Sequence, residues 1–274
     1  MNKIYYKYII IIIFIIILLY NMDIFDKKIT IETMDIISNN DPNSAYVINL
    51  IERGERWDKI NNLFKKSKIH LFRAPAIKNT NGHLGCGLSF VKIVKYAKEN
   101  NLKTVLIFED DNMPLDNFEN RWFTIKNWLD NNLDKWEIFN GGARFMDWLY
   151  YNKKIPNPDD YDVEIVYKIN NIEYLFQSDM MVSTNWIYIN SNCYDKVIEW
   201  QYNNNKGNSL IPIDRYITNK NHFNHVYCIP PLALQYNSKS DTANYENSLD
   251  KYDNTIIELF NKIYIKKVSE YFLN

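Results

Sequence analysis

Three consecutive acids, Glu109-Asp110-Asp111, stand at the end of the apolar run TVLIF (Thr104 to Phe108), and Asn112-Met113-Pro114 follows them. Side chains alternate along an extended segment, so Glu109 and Asp111 project to one side and Asp110 to the other. Carboxylates this crowded do not all stay ionised without a counter-charge. A hard divalent cation with oxygen ligands supplies one, and Mg²⁺ or Mn²⁺ bound in this way also holds substrate phosphates. The competing reading is a solvated acidic junction between strand and loop. A position at the carboxyl end of a strand, where open α/β sheets bind ligands, favours the metal.

Other residues fit the same chemistry. Arg53 and Arg56 follow the apolar stretch SAYVINL and could grip phosphate through forked hydrogen bonds, or simply begin an exposed helix. Gly82, Gly85 and Gly87 in GHLGCG run in the order G-x-x-G-x-G, which is not the dinucleotide fingerprint; they mark either a tight loop before a helix or a close approach to ligand. Asp214 follows Pro212 in IPIDRYI, a good first-turn proline, so capping a helix dipole is its plain role. His222 and His225 are two of only four histidines and read as surface residues, and Ser240-Asp241 reads as a turn. Cys86, Cys193 and Cys228 show neither zinc-type spacing nor an even count.

These groups must be positioned by a fold, and its elements alternate. SAYVINL (44–50), KIHLFRA (68–74) and TVLIF (104–108) read as buried strands; KWEIFNGG (135–142) and TNWIYIN (184–190) read as two more. GERWDKINNLFKK places Trp57, Ile60 and Phe64 at helical spacing, GCGLSFVKIVKYAKEN continues the pattern, and SNCYDKVIEW opens on a capping Ser191 or Asn192. The alternation predicts an α/β domain around a mostly parallel central sheet.

With 274 residues, 46% of them hydrophobic, the chain can bury a substantial core. Its net charge of −1 offers no basic field for nucleic acid. The run from Ile4 to Tyr20 carries one charge, Lys7, and is close to the shortest membrane span, roughly 17 residues. No small-residue cleavage site follows it, so residues 1–22 are expected to form an uncleaved anchor, residues 23–43 a stem, and residues 44–274 the functional domain. Lys3 and Lys7 ahead of the run predict a single-pass protein with a cytosolic N-terminus. The absence of any N-x-S/T sequon pulls against a glycosylating compartment, so the compartment of the domain stays open.

Six blocks, in this order, resemble glycosyltransferase family 25, the lipopolysaccharide-biosynthesis and procollagen galactosyltransferase type. They are YVINLIERGERWDKI, GHLGCGLSFVKIVKYA with its Gly-x-x-Gly-Cys-x-x-Ser pattern, VLIFEDDNMP, STNWIYINSNCYDKVIE, IPIDRYI, and PPLALQYNSKSDT. Together they run from about Ala45 to Thr242. The resemblance implies a GT-A-type fold, a UDP-sugar donor carrying galactose or glucose, a divalent metal (Mn²⁺ ahead of Mg²⁺), a glycan or protein acceptor, and inversion at the sugar carbon. It assigns Asp110 and Asp111 to the metal and Glu109 to the donor phosphates beside it. It also brings Asn49, Arg53, Arg56 and Gln235 near the donor, and makes Asp214 and Asp241 the later acids. One departure stands out: Phe90 follows Ser89 where the family tends to have histidine.

The chemistry follows from the reaction itself. Departure of a diphosphate builds negative charge that a bound cation and arginines stabilise. Inversion needs a carboxylate to take the proton of the attacking hydroxyl, and Asp214 comes first for that role and Asp241 second. Two rival classes are a catalytically weak nucleotide-sugar-binding protein and a metal-dependent phosphohydrolase or nucleotidyltransferase. The second would need more histidine and acid ligands for a two-metal site than this chain offers.

Overall fold

Residues 41–142, 144–145, 162–170, 173–178, 181–204, 210–235 and 253–273 are described by a computed structural model of the chain. All of them belong to the compact unit Asn40–Asn274. The expected anchor, the stem up to Asn40 and Asp241 lie outside the described residues. Among the described residues, no helix is long and apolar enough to cross a membrane.

In chain order the elements are β1 (Ser44–Asn49), α1 (Gly54–Phe64), β2 (His70–Pro75), α2 (Gly82–Glu99), β3 (Thr104–Glu109), β4 (Asn112–Pro114), α3 (Phe118–Asp130), β5 (Ile138–Asn140) and β6 (Arg144–Phe145). There follow β7 (Glu164–Ile169), β8 (Glu173–Gln177), β9 (Met181–Val182), β10 (Trp186–Asn190), a 3₁₀ turn (Ser191–Cys193), α4 (Tyr194–Asn204), α5 (Ile213–Ile217), β11 (His225–Cys228), β12 (Ala233–Gln235) and α6 (Asp253–Leu273).

Eight strands form the central sheet in the order β2-β1-β3-β10-β5-β11-β8-β7. The expectation of a mostly parallel sheet is corrected here. β1 runs parallel to β2 and β3, and β11 parallel to β5, but β10 lies antiparallel between β3 and β5. β8 and β7 then extend the sheet in antiparallel fashion. The architecture is mixed α/β. All five residues of β10 are buried, so its pattern of side chains marks a central strand without marking its direction.

Side-chain alternation sorts the sheet's two faces. Ala45, Val47, Leu106, Phe108, Trp186 and Tyr188 join Ile60 and Phe64 of α1 and Trp122, Ile125 and Leu129 of α3 in one core cluster. Phe108 and Trp186, directly opposed across β3 and β10, pack in a tilted arrangement with ring centroids 4.4 Å apart. α2 covers β1 and β3, where Tyr46 meets Tyr96 edge-on at 5.8 Å, and packs against α4. A Cβ on Gly87 would lie 2.0 Å from the Trp200 ring of α4, so this helix crossing requires glycine. A second cluster gathers Tyr174, Phe176 and Tyr227 beneath Leu259, Phe260 and Ile263 of α6.

Candidate functional site

β1, β3 and β5 end at the same edge of the sheet, and β10 begins there because it runs the other way. The residues just past those ends form a polar layer. Asn49, 1% exposed at the end of β1, is its hub. Its Nδ2 donates to Asp110 Oδ2 at 2.6 Å and to the Arg53 carbonyl at 3.1 Å. Its Oδ1 accepts from Arg73 Nε at 2.8 Å. Arg73, near the end of β2, also donates through Nη2 to the carbonyls of Leu50 and Ile51, which fixes the turn leading into α1.

The counter-charge demanded by the three acids is supplied, for Asp110, by the protein. Arg56 Nη1 reaches Asp110 Oδ1 at 2.9 Å, and both side chains are only 11% exposed. With Asn49 on its other oxygen, Asp110 is held on both sides. Glu109 points elsewhere: Thr184 Oγ1 donates to its Oε1, and Gln235 Nε2 donates to its Oε2 at 2.9 Å. Gln235 arrives because β12 pairs with β4, opposing it to Asn112. Thr184 arrives because it precedes β10. Asn112 Nδ2 ties the same segment down by donating to the Asn185 carbonyl at 2.6 Å, and Glu109 N donates to that carbonyl at 3.2 Å.

A cleft of about 490 Å³ opens at this edge. Arg53, Arg56 and Glu52 line it on the α1 side, Glu109, Asp110 and Asp111 on the β3 side, and residues 76–80 with Gly82, Gly85 and Cys86 on the α2 side. The Gly-x-x-Gly-Cys-x-x-Ser pattern acquires a physical meaning here. A Cβ on Gly85 would sit 2.7 Å from the Ile77 carbonyl, so glycine lets the loop lie against α2. Ser89 Oγ locks that contact, accepting from Ile77 N at 2.7 Å while donating to the Gly85 carbonyl at 2.6 Å. Asn81 caps the helix by accepting from Leu84 N. Phe90, at the position of the family's histidine, is fully buried in the core and does not line the cleft.

Asp214 does not line the cleft itself but comes near it on α5, beside the partly buried Cys86. Burial raises the Cys86 thiol well above the usual range, and the negative charges of Glu109, Asp214 and Asp111 add to the effect. α5 packs against α2, which brings Asp214 into that field from the downstream half of the chain. Its Oδ1 accepts from Arg215 N at 2.8 Å, and Pro212 stands at the N-cap, one residue earlier than a first-turn proline would. The structure therefore brings together Asn49, Arg53, Arg56, Glu109, Asp110, Asp111 and Gln235, with Asp214 close by. Arg73, Thr184 and Asn112 were not anticipated. An arginine near the end of the strand KIHLFRA is the available signal for the first, and nothing local marks the other two.

Among the described residues, no three His, Cys, Asp or Glu side chains converge as a metal cage. A divalent ion shared with a diphosphate needs only one or two protein carboxylates, and Asp111 on the cleft wall suits that smaller requirement; Asp110, the other expected ligand, instead has one oxygen on Arg56 and the other on Asn49.

The model of glycosyltransferase family 25 (LPS biosynthesis protein) matches residues 73–217, just over half of the chain. The match includes the Gly-x-x-Gly-Cys-x-x-Ser segment, the acid triplet, β10 with α4, and the Pro-x-Asp block. A stretch of 54 residues is 44% identical to a Haemophilus influenzae protein named "Putative glycosyltransferase", covering 20% of this chain and 19% of that one. The chain thus matches about a fifth of that relative's length. The crystal structure of an apo UDP-glucose pyrophosphorylase aligns over 78% of this chain and 70% of its own, with a TM-score of 0.31 and 10% identity. By the family match and the site motifs that it contains, the chain belongs to glycosyltransferase family 25.

Proposed function

We propose that the chain is an inverting glycosyltransferase on a GT-A-type scaffold, moving galactose or glucose from a UDP-sugar to a hydroxyl of a glycan or protein. One observation carries the reading: one cleft at the strand ends is lined both by Arg53 and Arg56 and by the three acids at the end of β3. A nucleotide diphosphate combines the negative charge that Arg53 and Arg56 would grip with a need for a cation that Asp111 would help to hold. When bound, Mn²⁺ or Mg²⁺ would neutralise the charge that builds on the departing diphosphate.

The chain's own groups divide the remaining work. Asp110 fixes Arg56 at the cleft wall. Thr184 and Gln235 fix the rotamer of Glu109. Asp214 accepts the proton of the acceptor hydroxyl as its oxygen bonds to the sugar carbon and the carbon–phosphate oxygen bond breaks. Sugar, acceptor proton and diphosphate are then all accounted for, with UDP as the leaving product.

The test is a donor panel of UDP-sugars with Mn²⁺ and with Mg²⁺, reading UDP release against hydroxyl acceptors. Asp111→Asn is expected to lose donor binding and transfer together. Asp214→Asn is expected to bind donor normally while transfer falls by about a hundredfold or more, the usual contribution of a general base. Normal transfer by Asp111→Asn would overturn the assignment of the cleft.

A further inference from the structure

At the mouth of the cleft, Glu52 in the turn after β1 and Lys78 in the loop before α2 form an ion pair between Oε1 and Nζ. Both side chains line the same cleft as Arg53 and Arg56. They differ from the buried Arg56–Asp110 pair in one decisive respect, since Lys78 is 77% and Glu52 48% exposed. An exposed pair of this kind is screened by water and salt and contributes little to folding. It is easily exchanged for a stronger partner. The backbone beneath Lys78 is by contrast well fixed. Ala76 N donates to the Asn49 carbonyl at 3.0 Å, Ile77 N to Ser89 Oγ at 2.7 Å, and Asn81 N to Asn79 Oδ1 at 2.9 Å. Lys78 is therefore a flexible ammonium on a rigid base, aimed at a cleft already lined by two guanidinium groups.

Resting on the donor reading above, we propose that Lys78 is a diphosphate-binding residue that Glu52 holds at the cleft mouth until the donor arrives. On binding, the ammonium leaves one carboxylate for the phosphate oxygens, which offer more charge and more acceptors. Glu52 then competes with the diphosphate for Lys78 and weakens donor affinity. No bond to carbon changes, and the exchange is one of hydrogen-bond partners alone.

The experiment measures UDP binding by calorimetry, with Mn²⁺ present and at fixed ionic strength, for the full chain, Lys78→Gln, Glu52→Gln and the double variant. Uridine serves as the phosphate-free control. Lys78→Gln is expected to raise the Kd for UDP about tenfold, the loss of one charge-assisted phosphate contact. Glu52→Gln is expected to lower it about threefold, and that gain disappears when residue 78 is already glutamine. Neither change moves the weak binding of uridine. If the unaltered chain binds no UDP, the donor reading fails and this proposal with it. If it binds UDP but Lys78→Gln binds equally well, only the proposal fails. A Glu52→Gln gain that persists in the double variant also overturns it, because a general charge effect then accounts for the gain. Both positions are solvent-exposed, and unchanged melting temperatures establish that the variants are folded.

Discussion

Replacing Asp110 by alanine tests the polar layer as a structural unit, apart from any catalysis. The substitution removes the carboxylate that Arg56 Nη1 meets at 2.9 Å and that Asn49 Nδ2 meets at 2.6 Å. At 11% side-chain exposure on both partners, water compensates little of the loss. Taking one member from a buried pair costs about 3–5 kcal/mol, because the remaining charge stays desolvated. Asn49 cannot relieve the strain by turning its amide, since its Oδ1 already accepts from Arg73 Nε. Urea denaturation followed by tryptophan fluorescence is the assay, and the midpoint should fall while the slope stays unchanged. For a unit of this size the loss corresponds to a drop in Tm of roughly 6–20 °C. Asp110→Asn should fall in the same direction, because its new NH₂ faces either the Asn49 amide or the Arg56 guanidinium. A loss under about 1 kcal/mol for Asp110→Ala would refute the view that this carboxylate organises the cleft wall, and would place it with exposed ion pairs instead.

Two further outcomes follow from the buried polar residues. His225 in β11, expected at the surface, is instead 1% exposed, and burial pushes its imidazole down to about 4, below its ordinary value of 6.5. The unfolded chain therefore binds the extra proton first, so stability should fall as pH drops from about 6.5 toward 4, by up to about 3 kcal/mol. His225→Gln should remove that slope in urea titrations across the same range, and an unchanged slope would mean that other groups cause it. Gly142→Ala would place a Cβ 1.4 Å from Asn185 Oδ1. The segment carrying Thr184 and the Asn185 carbonyl must shift, so UDP-dependent thermal stabilisation should shrink with modest loss of stability, about 1–3 kcal/mol; retention of the full stabilisation would show that Glu109 does not depend on that segment.

The sequence made the first half of the sheet legible because β-branched runs there end abruptly in turn-forming or charged residues. The strands expected at 44–50, 68–74 and 104–108 lie within two residues of β1, β2 and β3. α3 escaped notice because its start carries no local signal: Asn117 sits at φ 60° and makes no side-chain cap. β7 and β8 are hard to read for a different reason: they pair with each other, yet neither alternates between buried and exposed positions. Within the site, the acid triplet at the strand end is readable, but the strand stops at Glu109 and turns at Asp110 and Asp111, so strand alternation does not extend across the triplet. The triplet's neutralisation is not readable, because Arg56 lies 54 residues from Asp110 and both residues have ordinary local roles. Thr184 is 75 residues from Glu109, and only the antiparallel entry of β10 brings it there.

The antiparallel insertion of β10 also has a bearing on how the protein is made. Until residues 186–190 emerge from the ribosome, β3 is an open margin of a three-stranded β2-β1-β3 unit, with unpaired main-chain amides along its length. The earliest-synthesised half of the domain thus waits for a late segment before its middle can close, a long-range pairing of the kind that slows folding. A nascent chain halted before Trp186 would carry every member of the acid triplet and yet present them on a sticky, unfinished ribbon, a natural target for holding chaperones.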